Sequence, residues 1–201
     1  MKIQYASDLH LEFEDNIQYF ISNPLKVTGD ILILAGDIHV FGSEGFMENP
    51  FWDWASKNYK QVIIAYGNHE YYKECDLSTM KDGCKYKIRD NVYYYYNCVI
   101  TIDDIDIIVS TLWSYINKEN ELACQMGVND FRLIKYNGNV LTPEIFNNEH
   151  KKCLDFIKKI GGTNCICNQL GYVMGGKNEN DNFSSDKCID LKNDNSKCDM
   201  F

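Results

Sequence analysis

The sequence has no apolar run long enough to span a lipid bilayer, and its N-terminus lacks the basic patch and apolar segment of a signal peptide. Its nine cysteines are scattered, odd in number and never spaced as CxxC. This pattern is typical neither of a zinc ribbon nor of a disulfide framework. These absences exclude membrane-spanning and disulfide-stapled classes. We therefore expect free thiols and a cytoplasmic or similarly reducing location.

Glycine-rich phosphate loops are also missing, since neither GxGxxG nor GxxxxGK[ST] occurs. This absence argues against a plain nucleotide-binding α/β domain. The chain has no basic stripe and a net charge of −9, so we do not expect nucleic acid as a partner. A phosphate ester can still bind to an acidic protein when bound cations invert the local field.

The composition is that of a globular chain with a substantial core. Apolar residues make up 45% and charged residues 24% of its 201 residues, with no internal repeat or separate linker. We expect one domain over residues 1–201. The polar end of the chain, about 192–201, is predicted to be a loose tail.

Three strand-like runs come early in the chain: Lys2 to Ala6, Asp30 to Ala35 and Gln61 to Tyr66. The second and third are rich in Ile, Leu and Val without alternation, which is typical of strands covered on both faces. The segments between them have helical patterns, with Ser43 as a predicted N-cap. Strand, helix, strand, helix predicts parallel pairing with right-handed crossovers.

The middle and late segments add antiparallel strands and further helices. NVYYYYNCVITIDDIDIIVST predicts two antiparallel strands with a tight turn at Asp103-Asp104, its tyrosines lying on sheet faces. NKENELACQMG predicts a short helix, and a longer helix is expected to begin after Thr142 as N-cap. A last short strand is expected near Cys188 to Leu191.

Polar side chains follow each of the three early strands. Asp8 and His10 are two residues apart, so an extended backbone aims both side chains the same way. Asp37 follows the second strand, and Asn68 and His69 follow the third. Because the carboxyl ends of parallel strands open on one edge of a sheet, these groups are expected to converge. Carboxylates, an amide and imidazole suit a divalent transition metal.

The order of these motifs is more specific than any one of them, because a single Asp-x-His arises by chance in many chains. In this order the set resembles the calcineurin-like metallophosphoesterase family. The resemblance implies a four-layer αββα sandwich of two mixed sheets flanked by helices, in a single calcineurin-like phosphoesterase domain. It is carried by SDLH at Ser7 to His10, LAGDI at Leu34 to Ile38, GNHEYY at Gly67 to Tyr72, NDFRLI at Asn129 to Ile134 and CNQLGY at Cys167 to Tyr172.

The resemblance also implies a role for each strand-end residue. Asp8 and His10 would hold a first metal ion, Asp37 would bridge two ions, and Asn68 would bind the second. His69 would stay off the metals, helping to stabilise the phosphoryl group or to protonate the leaving oxygen. The chemistry implied is two-metal hydrolysis, with one or two divalent ions of Mn, Fe, Zn or Co.

The sequence departs from the family pattern late in the chain, where the family supplies further histidines, including a Gly-His-x-His motif. Only four histidines occur, and neither His39 nor His150 stands in that context. Roughly sixty residues, about two strand–helix units, are missing between HKKCLDFIKK and IGGTNCICNQLGY. We expect an internal deletion that truncates the fold, weakens above all the second metal position and exposes strand edges, which favours a homodimer.

Two functions stay open from the sequence. The first is a metal-dependent phosphoesterase that hydrolyses a phosphomonoester or phosphodiester, with Arg132 holding a phosphate oxygen. The alternative for Arg132 is a surface ion pair with Asp130. The second function is that of a catalytically impaired relative which serves as a binding scaffold.

Overall fold

A computed structural model of the chain describes residues 1–160, 168–174 and 177–190. Strands and α-helices alternate over residues 2–65, and four strands, shorter elements and the longest helix follow. The helices are α1 (Glu14–Ser22), α2 (Pro50–Asn58), α3 (Glu121–Gly127), α4 (Asp130–Leu133) and α5 (Pro143–Lys158). The strands are β1 (Lys2–Ala6), β2 (Ile31–Ala35), β3 (Gln61–Ala65), β4 (Cys84–Arg89), β5 (Val92–Tyr96), β6 (Cys98–Ile102), β7 (Ile105–Val109), β8 (Lys135–Tyr136), β9 (Asn139–Val140), β10 (Val173–Met174), β11 (Lys177–Asn178) and β12 (Cys188–Asp190).

The centre of the molecule is a six-stranded mixed sheet with the order β12-β1-β2-β3-β5-β4. Strands β1, β2, β3 and β5 are parallel, while β12 and β4 pair antiparallel at the two edges. The parallel pairing predicted for the three early strands is confirmed, as is a last short strand after Cys188. Because β1, β2 and β3 run side by side, their carboxyl ends meet at one edge.

Both faces of this sheet are covered, as the unbroken apolar runs predict. Successive side chains on a strand point to opposite faces, so Leu32 and Leu34 join one core, whereas Ile31 and Ile63 join another. The first core includes Trp52 of α2, which is fully buried. Apolar burial on both sides fixes the register of the strands and therefore the position of the residues that follow them.

The second face packs against the antiparallel hairpin β6–β7. Ile107 and Val109 of β7 contact the cluster that contains Ile3, Ile31 and Ile63. The hairpin turns at Asp103, which has φ 52°, so the predicted acidic turn is confirmed. The two-strand prediction for this segment is corrected to three strands, because its tyrosine run forms β5 and pairs parallel with β3 in the central sheet. The predicted α/β class is confirmed, since a central mixed sheet is flanked by helices. Of the two mixed sheets expected, the described residues form this one, and the strands on its second face are the antiparallel pair β6–β7. In the part of the chain that the structure describes, this hairpin is the strand layer on that face.

The helix predictions are confirmed with one correction. Helix α5 begins after Thr142, whose side chain caps Ile145 N–H, and α3 forms as expected. The N-cap of α2 is Asn49, not Ser43, because Pro50 occupies the first helical position and the Asn49 side chain accepts from Phe51 N–H. Ser43 instead donates its hydroxyl hydrogen to the Val40 carbonyl at 2.7 Å.

The segment that begins at Asn168 joins the carboxyl end of β1. Ser7 N–H donates to the Asn168 carbonyl at 3.0 Å, and Leu170 N–H donates to the Ser7 carbonyl at 3.1 Å. The expected deletion junction at 161–167 and the expected tail at 192–201 lie outside the described residues. Among the helices that are described, none combines the length and apolar character needed to cross a membrane.

Candidate metal centre

A cavity of about 370 Å³ opens at the edge where the parallel strands end. It receives residues that follow β1, β2, β3 and β7, together with side chains from α4 and α5. Three of its lining groups are carboxylates. The lining consists of Ser7, Asp8, Ala35, Gly36, Asp37, Gly67, Asn68, Thr111, Leu112, Trp113, Ser114, Asp130, Phe146 and Gln169.

The turns after β1 and β2 adopt left-handed backbone conformations. Asp8, His10 and Asp37 have φ of 56°, 48° and 54°, a region that non-glycine residues rarely occupy. Such conformations persist only where the surroundings hold them, and they cluster at functional sites. Here Asp8 N–H donates to the Gly36 carbonyl and His10 N–H donates to the Asp37 carbonyl, both at 3.0 Å. The two turns are therefore locked together.

This arrangement brings three donor groups into metal-binding distance of one another. Ligand atoms of Asp8, His10 and Asp37 all lie within 4.8 Å of one another. Burial raises the pKa of the Asp37 carboxyl, and the nearby His69 acts against that rise. A Cβ atom on Gly67 would lie 2.1 Å from Asp37 Oδ1, so only glycine admits this approach. Two carboxylates and one imidazole in a tight cradle fit a divalent transition ion.

Asn68 lines the same cavity and is oriented by its neighbours. Its Nδ2 donates to Asp130 Oδ1 at 2.8 Å and to the Tyr72 hydroxyl at 2.9 Å. The Tyr72 hydroxyl itself donates to Asp130 Oδ1 at 2.7 Å. Because these partners hold the amide nitrogen, the amide oxygen faces the opposite way. Oδ1 is the atom through which an asparagine binds a metal ion.

Glu70 links the turns after β2 and β3 through hydrogen bonds to their backbone N–H groups. It is fully buried, and its Oε2 accepts from Gly67 N–H at 2.7 Å and from Asp37 N–H at 3.1 Å. Its Oε1 accepts from Ile38 N–H at 2.9 Å. Burial raises the pKa of Glu70 to about 8, and the charge of Asp37 adds to the rise. The sequence motif contains Glu70, but the pattern alone gives it no role.

A second carboxylate, Glu12, lies between two imidazole rings. Its Oε1 accepts from Nδ1 of His69 at 2.7 Å and from Nδ1 of His10 at 3.1 Å. Burial by itself would raise the pKa of Glu12, but the hydrogen bonds from His10 and His69 outweigh burial and lower the pKa to about 2. Sequence reasoning missed Glu12. The extended backbone expected at Asp8 and His10 is replaced by a left-handed turn, so strand alternation would not have located Glu12 either.

His69 is held on three sides. Its backbone N–H donates to Asp37 Oδ1 at 3.0 Å, and its Nε2 lies 3.1 Å from the Tyr172 hydroxyl. Tyr172 also stacks on the His10 ring with centroids 4.5 Å apart. Burial would lower the pKa of His69, but the hydrogen bond to Glu12 and the negative charges of Asp37, Glu12 and Glu70 together outweigh burial, so the pKa is raised. His69 is therefore in contact with Asp37, which lines the cavity, but is not itself among the described residues of the lining.

A model of the calcineurin-like phosphoesterase family matches residues 1–197 of the sequence. The chain belongs to the calcineurin-like phosphoesterase family. This membership accounts for the order of the strand-end motifs and for the sheet edge at which they meet.

Two individual proteins are similar to this family member. An uncharacterized protein of Acanthamoeba polyphaga mimivirus is 28% identical over 172 residues, which is 77% of this chain and 61% of the viral protein. The chain thus spans about three fifths of that relative. The crystal structure of phosphopantetheinyl hydrolase from Mycobacterium tuberculosis aligns with a TM-score of 0.49 at 15% identity, over 84% of this chain and 66% of that one.

The other residues considered from the sequence lie elsewhere in this phosphoesterase-family chain. His39 is buried against Phe46, its Nδ1 lies 3.2 Å from the Ser43 hydroxyl, and burial lowers its pKa. His150 Nδ1 hydrogen-bonds to the Trp113 carbonyl. Neither ring is part of the cavity lining.

Arg132 is exposed and also lies outside the cavity lining. Its guanidinium donates to Asn129 Oδ1 at 2.7 Å. The nearby Asp130 carboxylate instead accepts from Asn68 and Tyr72. The structure thus brings Asp8, His10, Asp37, Asn68 and His69 together, and it does not bring Arg132 to them.

Proposed function

We propose that this chain is a metal-dependent phosphoesterase that hydrolyses a phosphomonoester or a phosphodiester. One observation carries the proposal: donor atoms of Asp8, His10 and Asp37 lie within 4.8 Å of one another beside a cavity of about 370 Å³. The family is metal-dependent, and the donor set suits Mn, Fe, Zn or Co. A bound divalent ion supplies Lewis-acid polarisation of the phosphoryl group and activation of water.

The residues divide between two metal positions in this proposal. Asp8, His10 and Asp37 hold the first ion, and Asp37 and Asn68 contribute to the second. The described residues thus offer the first position three ligands and the second position two, so we expect the first to fill at lower metal concentration. Asp130 and Tyr72 keep the Asn68 amide oxygen available through the contacts on its nitrogen.

In its protonated form His69 carries a positive charge next to Asp37 and can donate a proton from Nε2. Its Nε2 contacts the Tyr172 hydroxyl at 3.1 Å, so donation to a leaving oxygen requires that oxygen to replace the hydroxyl. Arg132 would reach a phosphate only after its guanidinium leaves Asn129. For this reason the bound cation, and not Arg132, is the group that we expect to meet the charge of the substrate.

The charge of the cavity explains why a metal is needed. Its lining carries Asp8, Asp37 and Asp130, and no lysine or arginine occurs among the described residues that line it. A phosphate ester would be repelled by these carboxylates alone. The homodimer, the exclusion of nucleic acid and the cytoplasmic location stay predictions from the sequence.

A hydrolysis assay with defined metals tests the proposal. Purified protein is stripped with a chelator and then assayed on p-nitrophenyl phosphate and bis(p-nitrophenyl) phosphate after addition of Mn²⁺, Fe²⁺, Zn²⁺ or Co²⁺. We expect no turnover after chelation and recovery with at least one ion. Failure of every metal to restore turnover on either ester, in protein with native circular dichroism, would contradict the proposal and favour the scaffold function.

A further inference from the structure

Glu12 is a nearly buried carboxylate beside the proposed metal ligands. Metal binding by Asp8, His10 and Asp37 does not by itself explain why a carboxylate occupies this position. The Glu12 side chain is 9% exposed, and it lies in the turn that follows β1, two residues after His10. One of its oxygens accepts from two imidazoles, at 2.7 Å and 3.1 Å. The other, Oε2, is buried and has no hydrogen-bond partner among the described residues. A buried acceptor without a donor is unfavourable, so stability alone does not account for a carboxylate here.

The two hydrogen bonds define which nitrogen of each imidazole carries a proton. A carboxylate only accepts hydrogen bonds, so Nδ1 of both His10 and His69 must donate to it. In a neutral imidazole the proton on Nδ1 leaves Nε2 as a lone pair. Nε2 of His10 is then the atom free to bind a metal ion. Nε2 of His69 is then the acceptor for the Tyr172 hydroxyl, 3.1 Å away.

We propose that Glu12 is a positioning residue that sets both neutral imidazoles in the Nδ1–H tautomer, so that one carboxylate orients the metal ligand His10 and the ring of His69 together, with Nε2 of each ring directed away from Glu12. The inference rests on the proposed function, because it assigns His10 to a metal. A carboxylate that accepts from the second nitrogen of a metal-binding histidine fixes the ring and makes it a better ligand. What is particular to this site is that a single oxygen serves two rings of different roles.

The main competing explanation is that Glu12 is itself a metal ligand. Ligand atoms of His10, Glu12 and His69 also lie within 4.8 Å of one another. A metal held there would have to displace both imidazole hydrogen bonds, because each Nδ1 would need to lose its proton to bind. The two explanations predict different tautomers and different numbers of bound ions, and can therefore be separated by measurement.

The test combines imidazole NMR with metal titration on the full chain. Long-range ¹H–¹⁵N spectra of metal-free protein at alkaline pH report the tautomer of each ring, and calorimetric titration with Mn²⁺ reports affinity and stoichiometry. We expect the Nδ1–H tautomer at His10 and His69 in the wild type. Glu12→Ala is expected to shift both toward Nε2–H and to weaken Mn²⁺ binding by about 10- to 100-fold. Glu12→Gln keeps an acceptor oxygen and should keep the tautomers, with an intermediate loss of affinity.

The control is Glu14→Gln, which changes an exposed carboxylate nearby that accepts from Gln18, and it should leave every readout unchanged. An Nε2–H tautomer at His10 in the wild type overturns the proposal, as does loss of one whole Mn²⁺ equivalent in Glu12→Gln. Should Glu12→Ala not fold, Glu12→Gln decides alone, and affinity within about twofold of the wild type overturns it. None of these readouts needs turnover, so a protein inactive on every ester can still support this inference while the hydrolase proposal fails.

Discussion

Replacing Asp37 with asparagine is expected to lower metal-dependent ester hydrolysis by at least about 100-fold. Asp37 lines the cavity, belongs to the donor group with Asp8 and His10, and is the only carboxylate proposed to serve both metal positions. An amide of the same shape supplies no charge to hold the ion and offers one oxygen where the carboxylate offers two. Its Oδ1 can still accept from His69 N–H, so the fold should be retained.

The kinetic constants of Asp37→Asn are measured over a range of metal concentrations, so that weaker metal binding is separated from slower turnover. Asp15→Asn, an exposed carboxylate of α1, serves as the matched control and should behave like the wild type. Retention of more than about a tenth of wild-type turnover at saturating metal would show that Asp37 is not a shared ligand.

Replacing Glu70 with alanine is expected to lower the free energy of unfolding by about 3 kcal/mol or more. The substitution removes the acceptor for the buried N–H group of Ile38 and for the partly buried N–H groups of Asp37 and Gly67. Each buried N–H group without an acceptor costs about 1–3 kcal/mol. The turns after β2 and β3 would also lose the carboxylate that holds them together, so metal affinity should fall with stability.

Urea unfolding of metal-free protein measures this effect without a contribution from bound ions. Glu48→Ala removes an exposed carboxylate and should change the free energy of unfolding by less than about 0.5 kcal/mol. A change of similarly small size for Glu70→Ala would mean that the two turns are held by other contacts.

The convergence of the strand-end residues could be predicted because the information is local. Each of them follows an apolar run by two to four residues, and parallel pairing of those runs brings the segments together; they are Asp8, His10, Asp37, Asn68 and His69. The same logic predicted the central sheet. Its two-sided burial was readable in the runs of Ile, Leu and Val.

The residues that orient the ligands were harder to predict because their partners are distant in sequence. Tyr172 contacts His69 across 103 positions, and Asp130 contacts Asn68 across 62. Such pairs depend on how α4 and the chain after α5 return to the sheet, which no periodicity encodes. Glu12 differs from these because it is close to His10 in sequence. The left-handed turn after β1, which the strand pattern does not predict, brings it between His10 and His69.

Two other differences have simple causes. Ser43 has the chemistry of an N-cap, but the proline at position 50 fixes the start of α2 and therefore selects Asn49. Arg132 has the chemistry of a phosphate ligand, but the turn of α4 places its guanidinium against Asn129 in solvent. In both cases residue type was informative and the local backbone decided the outcome.

The most direct test of the central claim is a crystal structure of the protein soaked with Mn²⁺, with data collected to locate the ion by its anomalous signal. The account predicts a peak at the cavity edge, about 2.0–2.2 Å from donor atoms of Asp8, His10 and Asp37. A peak among His10, Glu12 and His69 that does not touch Asp8 or Asp37, or no peak at a concentration that supports turnover, would contradict it.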